Sequence, residues 1–309
     1  MSPASLRRAA WAGLQDSMPR AALLSLHARV ENVEPSTWEH PSLAQLWGPR
    51  YAAYVVPKRD FALFSLGRLP DNVKGRQRAE DMAQRLHAAL DGRMTDREVG
   101  RLIGVGNAMR YAATTGTVAI RWDGARAPAI WTVPAPKIEP AEACRELARR
   151  YLHVFGPTTA ESFARWAGIS RGSGAEAFAS LEPLLLPVRS PFGDDWLLAE
   201  DEPEIRAGET APAPARLLPS GDAYFLLDGA ERTLLVPRED QRQLLWTPRV
   251  WPGALLVEGE IRGTWRRAQH TVRIETWGRL SPGARDAVEA EAKALPLPGL
   301  GRPIEVVWS

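Results

Sequence analysis

EACRELARRYLHVFGPTTAESFARWAGISRGSGAEAFASLEPLLLPVRSPFGDDWLLAE, residues 142–200, separates into helix, turn, helix, helix and ribbon. EACRELARRYLHVF has a helical period, and Gly156-Pro157 ends it. Thr158 or Thr159 can then cap ESFARWAG, because a threonine hydroxyl accepts an amide that the first helical turn leaves unpaired. Gly168 breaks that helix, a further helix is expected near SGAEAFASLEP, and LLLPVRSPFGDDWLLAE reads as two strands joined by a turn. Crossing helices followed by a β-hairpin are the plan of a winged helix-turn-helix.

Outward from this stretch the order repeats. In residues 63–136, AEDMAQRLHAAL is helical, and Thr95-Asp-Arg-Glu98 has capping-box spacing before REVGRLIG. Asn107 to Ala113 is the candidate recognition helix, and TGTVAIRWDGARAPAIWTVP is a ribbon turning at Asp123-Gly124. In residues 1–62, Ser17 and Pro19 suit the start of a helix that aligns Leu23, Leu26 and Val30. A short helix is expected at PSLAQLW and a strand at RYAAYVVP. The Pro- and acid-rich run 201–215 reads as a linker or edge loop. Beyond it, DAYFLLDGAERTLLVP, ALLVEGEIRGTWRR and HTVRIETWG read as strands, with a hairpin turn at Glu258-Gly259. The helix PGARDAVEAEAKAL and the strand RPIEVVW follow. The expected fold is α+β: tandem winged helix-turn-helix modules at 1–62, 63–136 and 137–210, then an antiparallel β-barrel-like module with a C-terminal helix and strand at 211–309.

Bulk properties narrow the setting. The 309 residues are 45% hydrophobic, enough for several small cores. Cys144 is alone, so no disulfide framework or Cys-based zinc site is expected, and a reducing cytoplasm fits. No apolar run reaches the ~18–20 residues of a membrane span, and no signal peptide is legible. The expected setting is a monomer in the cytoplasm at the nucleoid. Net charge is only +2, but residues 1–110 hold 16 Lys/Arg against 11 Asp/Glu while 137–210 hold 8 against 13. Such polarity suits one face on phosphate and a module away from it, and ordinary solvated surfaces fit it equally. The five histidines show no metal spacing, and no cofactor motif is present.

GLQDSMPRAALLSLHAR, RYAAYVVPKRD, RRYLHVFGPTTAESFARWAGI and VEGEIRGTWRR occur in one fixed order. Together they resemble the winged-helix DNA glycosylase family of the AlkZ and YcaQ type, over nearly the whole chain. The resemblance implies tandem winged helices followed by a β-barrel. It also implies hydrolysis of the N-glycosidic bond of alkylated or crosslinked purines during DNA repair. The expected partner is damaged double-stranded DNA, with no membrane and no obligate protein partner. In such enzymes a Gln-x-Gln or Gln-x-Asp turn before a Pro-started helix holds the attacking water. Here the matching residues are Gln15, Asp16 and Ser17. Ser17 stands where the second Gln or Asp is expected, and a hydroxyl neither takes up a proton nor stabilises an oxocarbenium ion as a carboxylate does. Tyr54 stands where a His is expected.

The remaining candidates carry two readings each. Trp11, His27 and Tyr54 are candidates for a base pocket; a core aromatic or a locally satisfied helix histidine is the plain alternative. Arg97, Arg101, Arg110 and Arg121 lie on the second module, where the i, i+4 spacing of Arg97 and Arg101 shares one helix face. Arg266 and Arg267 end a strand and can grip phosphate, or be solvated there. Two other functions stay open: a DNA-binding relative without chemistry, and a winged-helix transcription regulator.

Overall fold

The computed structural model describes residues 2–124, 126–208 and 212–309. The chain divides into two units, each built from separated stretches: Met1–Ala9, Leu14–His40 and Gly208–Ser309 in one, Ala10–Gly13 and Pro41–Ala207 in the other.

In the second unit, strands Leu43–Trp47 and Ala53–Pro57 pair antiparallel. LAQLW, expected as a helix, is therefore a strand. The backbone turns sharply from Gly48 to Ala52, with Arg50 and Tyr51 at φ 54 and 59, and delivers a partner strand that outweighs local propensity. Gln45 pairs with Ile120, which brings in the ribbon Val118–Arg121 with Ala129–Thr132, and Met94–Thr95 extends the far edge. Helix Val73–Ala89 packs Ala79, Met82, Ala83 and Leu86 inward at helical spacing, its start held by Asn72 accepting the Gly75 amide at 2.7 Å. Helix Asp96–Ile103 begins with the expected capping box, Thr95 N donating to Glu98 Oε2 at 2.8 Å and Glu98 N to Thr95 Oγ1 at 3.2 Å. Asn107–Thr115 is helical as expected, but it is a 3₁₀ helix. These elements close over Trp47, Leu86, Val99, Met109, Ile120 and Ile130.

The same unit contains helices Pro140–Phe155, Ala160–Ala167 and Arg171–Ala179, then the ribbon Leu185–Ser190 with Gly193–Leu198. Thr159 caps the second helix, accepting the Ser162 amide at 3.1 Å, and Gly168 ends it at φ 74. Tyr151, Phe163, Trp166 and Phe178 form an aromatic core. Arg68, 2% exposed, donates from Nε to the Ala167 carbonyl at 2.8 Å and from Nη1 to the Trp47 carbonyl at 3.0 Å. It thereby ties the end of a helix to the end of a strand. Burial pulls its pKa down to about 10, so the cation persists at neutral pH. Within the expected linker, Glu202–Ala207 is a helix, while residues 209–211 lie outside the described residues.

The first unit is organised by a five-stranded sheet in the order Glu305–Trp308, Thr271–Thr276, Glu260–Ala268, Gly253–Val257, Ala215–Leu218. It is open, with no pairing between its two edge strands, so the expected barrel does not close. The 253–268 hairpin turns at Glu258-Gly259 as expected, both at positive φ (52 and 86). The last strand runs parallel to Thr271–Thr276, a connection made by helix Pro282–Lys293. One face packs Leu217, Leu255, Trp265 and Ile274 against Val288 and Ala292 of that helix and Leu24; the other packs Leu218, Ala254 and Ile261 against Phe225, Val236, Leu245 and Trp246. DAYFLLDGAERTLLVP, expected as strand, forms short helical turns instead: Ala223–Phe225, Gly229–Glu231 and Arg232–Leu235. Asp222 accepts the Tyr224 amide at 2.9 Å and Asp228 the Gly229 amide at 3.1 Å, local bonds that compete with a sheet ladder.

Candidate active site

Gln15 ends the two-residue strand Leu14–Gln15, and the chain then turns through Asp16 and Ser17 to helix Ala21–His27. Ser17 does not cap that helix. Arg20 enters it at φ 67 without a side-chain cap, and buried Asp16 accepts the Ala22 amide at 3.0 Å. Ser17, exposed, instead accepts Gln15 Nε2–H at 3.1 Å. On its other side the Gln15 amide is pressed by Gly221: a Cβ built there would lie 2.9 Å from Nε2, and the backbone holds φ +77. Only glycine satisfies both conditions without strain.

The Pro219–Asp222 turn that presents Gly221 is anchored by an ion pair, buried at its carboxylate, that is absent from the sequence reading. Arg29 donates to Asp222 Oδ2 from Nη1 at 2.8 Å and to Oδ1 from Nη2 at 2.6 Å, and Ser25 Oγ donates to Oδ2 at 2.6 Å. Burial alone raises the Asp222 pKa, but the Arg29 charge and the hydrogen bonds outweigh it, so the carboxyl is held below its usual range. The two partners lie nearly two hundred residues apart, so no spacing rule links them. The only local sign was the turn-forming string Ser220-Gly221-Asp222.

Beside this turn, Met18, Pro19 and Ser220 line a half-open cavity of about 240 Å³ together with Trp251, Trp265, Arg266 and Arg267. Neither Arg266 nor Arg267 forms an ion pair with a described residue; Arg266 donates to the Val250 carbonyl at 3.0 Å and Arg267 to the Gln269 carbonyl at 2.9 Å.

The other candidates do not line this cavity. His27 ends its helix with Nε2 3.7 Å from Glu291 Oε2, and it does not line the cavity. Tyr54 is 1% exposed in the core of the second unit, and burial raises its phenol pKa against the pull of Arg50 and Arg68. Trp11, also in the second unit, has the Arg150 guanidinium 4.3 Å over its ring, while Arg150 Nη1 pairs with buried Asp60 at 2.8 Å. Arg97, Arg101 and Arg110 line one open groove of about 1240 Å³ in the second unit, joined by Arg126, which the sequence reading missed. None of these four forms an ion pair with a described residue. Arg121 lies on the adjacent strand outside the groove lining. Among the described residues, no cluster of His, Cys, Asp or Glu could hold a metal ion, and no helix is long and apolar enough to cross a membrane.

The mixed α+β architecture has a solved counterpart. The Streptomyces sahachiroi DNA glycosylase AlkZ superposes with a TM-score of 0.76 at 18% identity, over 99% of this chain and 94% of that one. The family model for AlkZ-like DNA glycosylases matches residues 8–296, and the chain belongs to that family. A curated relative, an interstrand DNA cross-link repair glycosylase of Streptomyces sahachiroi, is 27% identical over 159 residues. The matched stretch is 50% of this chain and 42% of that relative, so less than half of the relative's length is aligned.

Proposed function

We propose that this protein is a monofunctional DNA glycosylase that hydrolyses the N-glycosidic bond of alkylated or crosslinked purines in damaged double-stranded DNA. The observation that carries this reading is the Gln15 carboxamide, fixed by Ser17 on one side and Gly221 on the other. An N3- or N7-alkylated purine is a cationic leaving group. It departs with the bonding electrons and leaves an oxocarbenium ion at the sugar. The protein then has to place a water against the anomeric carbon and accept its hydrogen bond as the proton is lost to solvent. An amide carbonyl accepts a hydrogen bond from water, so the Gln15 carboxamide would orient the water through its oxygen, with Nε2 donating to Ser17. Ser17 acts as the positioning group for that amide, and Asp16 serves the helix start.

DNA enters this proposal through the second unit. The three-helix-plus-ribbon arrangements within 63–136 and 137–210 act as winged helices, and Arg97, Arg101, Arg110 and Arg126 track phosphates along the groove. Residues 1–62 and 211–309 supply the Gln15 turn and its support. A monomer working at the nucleoid in the cytoplasm fits this role.

The test is a single-turnover assay, with protein in excess over a duplex carrying a labelled N3- or N7-alkylpurine. Base release is expected from the wild type and not from Gln15→Ala. Absence of release by the wild type from every alkylated duplex would leave a DNA-binding protein without chemistry.

A further inference from the structure

We propose that the cavity between Met18-Pro19 and Trp251-Pro252 is a subsite for one unpaired nucleotide with an uncharged base, the base against Trp251 and the phosphate held by Arg266 and Arg267. Its volume, about 240 Å³, falls below the ~300–1,000 Å³ of sites for drug-sized ligands, and suits a single ring system. The walls are mostly apolar, and Trp265 in the lining is held in place. Trp265 Nε1 donates to the Leu218 carbonyl at 2.8 Å, and its indole lies so close over Gly253 that a Cβ there would meet Nε1 at 2.2 Å.

Charge selects the occupant. No carboxylate lines the cavity, and two guanidiniums without ion-pair partners among the described residues stand at it. Burial lowers the Arg267 pKa with no acidic group opposing the shift, the environment of a cation whose counter-ion comes from a ligand. A cationic alkylpurine would be repelled there, whereas a neutral base on a phosphate satisfies both walls and cations. The subsite adjoins the Gln15 turn on both sides: Met18 follows Ser17, and Ser220 precedes Gly221. It would therefore hold a nucleotide neighbouring the reacting one. Only that last placement rests on the glycosylase reading.

The test compares two lesion-free duplexes, one fully paired and one with a single bulged thymidine, titrated with the full chain by fluorescence anisotropy. The wild type is expected to prefer the bulged duplex by about tenfold, the scale of one base–aromatic stack. Trp251→Ala should remove the preference and Trp251→Phe retain it. Met18→Glu, at an exposed wall position, should also remove it by repelling the phosphate, which covers the case in which Trp251→Ala fails to fold. Arg267→Gln should lower the slope of log affinity against log salt by about one on the bulged duplex alone. No bulge preference in the wild type, or a preference that survives both Trp251→Ala and Met18→Glu, overturns the subsite. Gln15→Ala should keep the preference while losing base release, so failure of the chemistry and failure of the subsite are read separately.

Discussion

Gln15 is held by contacts that single substitutions can remove one at a time. Gln15→Ala should lower single-turnover base release by about a hundredfold or more, with duplex affinity unchanged, because the proposed water positioning acts in the transition state. Ser17→Ala removes one hydrogen bond to the amide and should slow release by about fivefold, the scale of roughly 1 kcal/mol. Gly221→Ala places a methyl 2.9 Å from Gln15 Nε2 at φ +77, so it should lower the rate with little effect on duplex affinity. A Gly221→Ala protein with wild-type rates would show that the amide is not confined from that side. Gln15, Asp16 and Ser17 were singled out by the family resemblance, which is read in order along the chain. It did not show that Ser17 bonds Gln15 and that Asp16 starts the helix, because both depend on how the turn closes in space.

At the scale of elements, helix Ala21–His27 and the Pro219–Asp222 turn are joined by Arg29, Ser25 and Asp222. Asp222→Asn strands the Arg29 charge and should destabilise the fold by an amount near the lower end of about 3–5 kcal/mol, since Arg29 is partly exposed. The Asp222 carboxyl is held below its usual range, so its stabilisation is complete above about pH 5 and is lost as pH falls through the folded value. Urea unfolding across acidic pH should show that loss in the wild type and a flatter profile in Asp222→Asn. Elements with their own punctuation were legible: the Thr95 capping box, the Thr159 cap with Gly168, and the Glu258-Gly259 hairpin all carry local signals. LAQLW and DAYFLLDGAERTLLVP were misread because a distant strand partner decides the first and Asp-side-chain turns decide the second.

For the whole molecule, the near-neutral net charge conceals a groove whose four arginines have no ion-pair partner among the described residues. Arg97→Ala with Arg101→Ala should weaken duplex binding about equally for all sequences and reduce the salt slope by about two, read from titrations at several salt concentrations. Unchanged slope would place the phosphates elsewhere. The division of the chain has a consequence for its synthesis. Residues 41–207 make up one unit together with the short stretch 10–13, whereas the unit holding Gln15 takes 1–9 and 14–40 early and 208–309 late. Leu24 waits for Leu217, Val288 and Ile304 to complete its core, and Gln15 waits for Gly221. As the ribosome delivers the chain, the arginine-lined groove can form while the Gln15 turn is still unsupported. A stalled or truncated product ending near residue 207 should therefore bind duplex DNA through the groove without releasing a base.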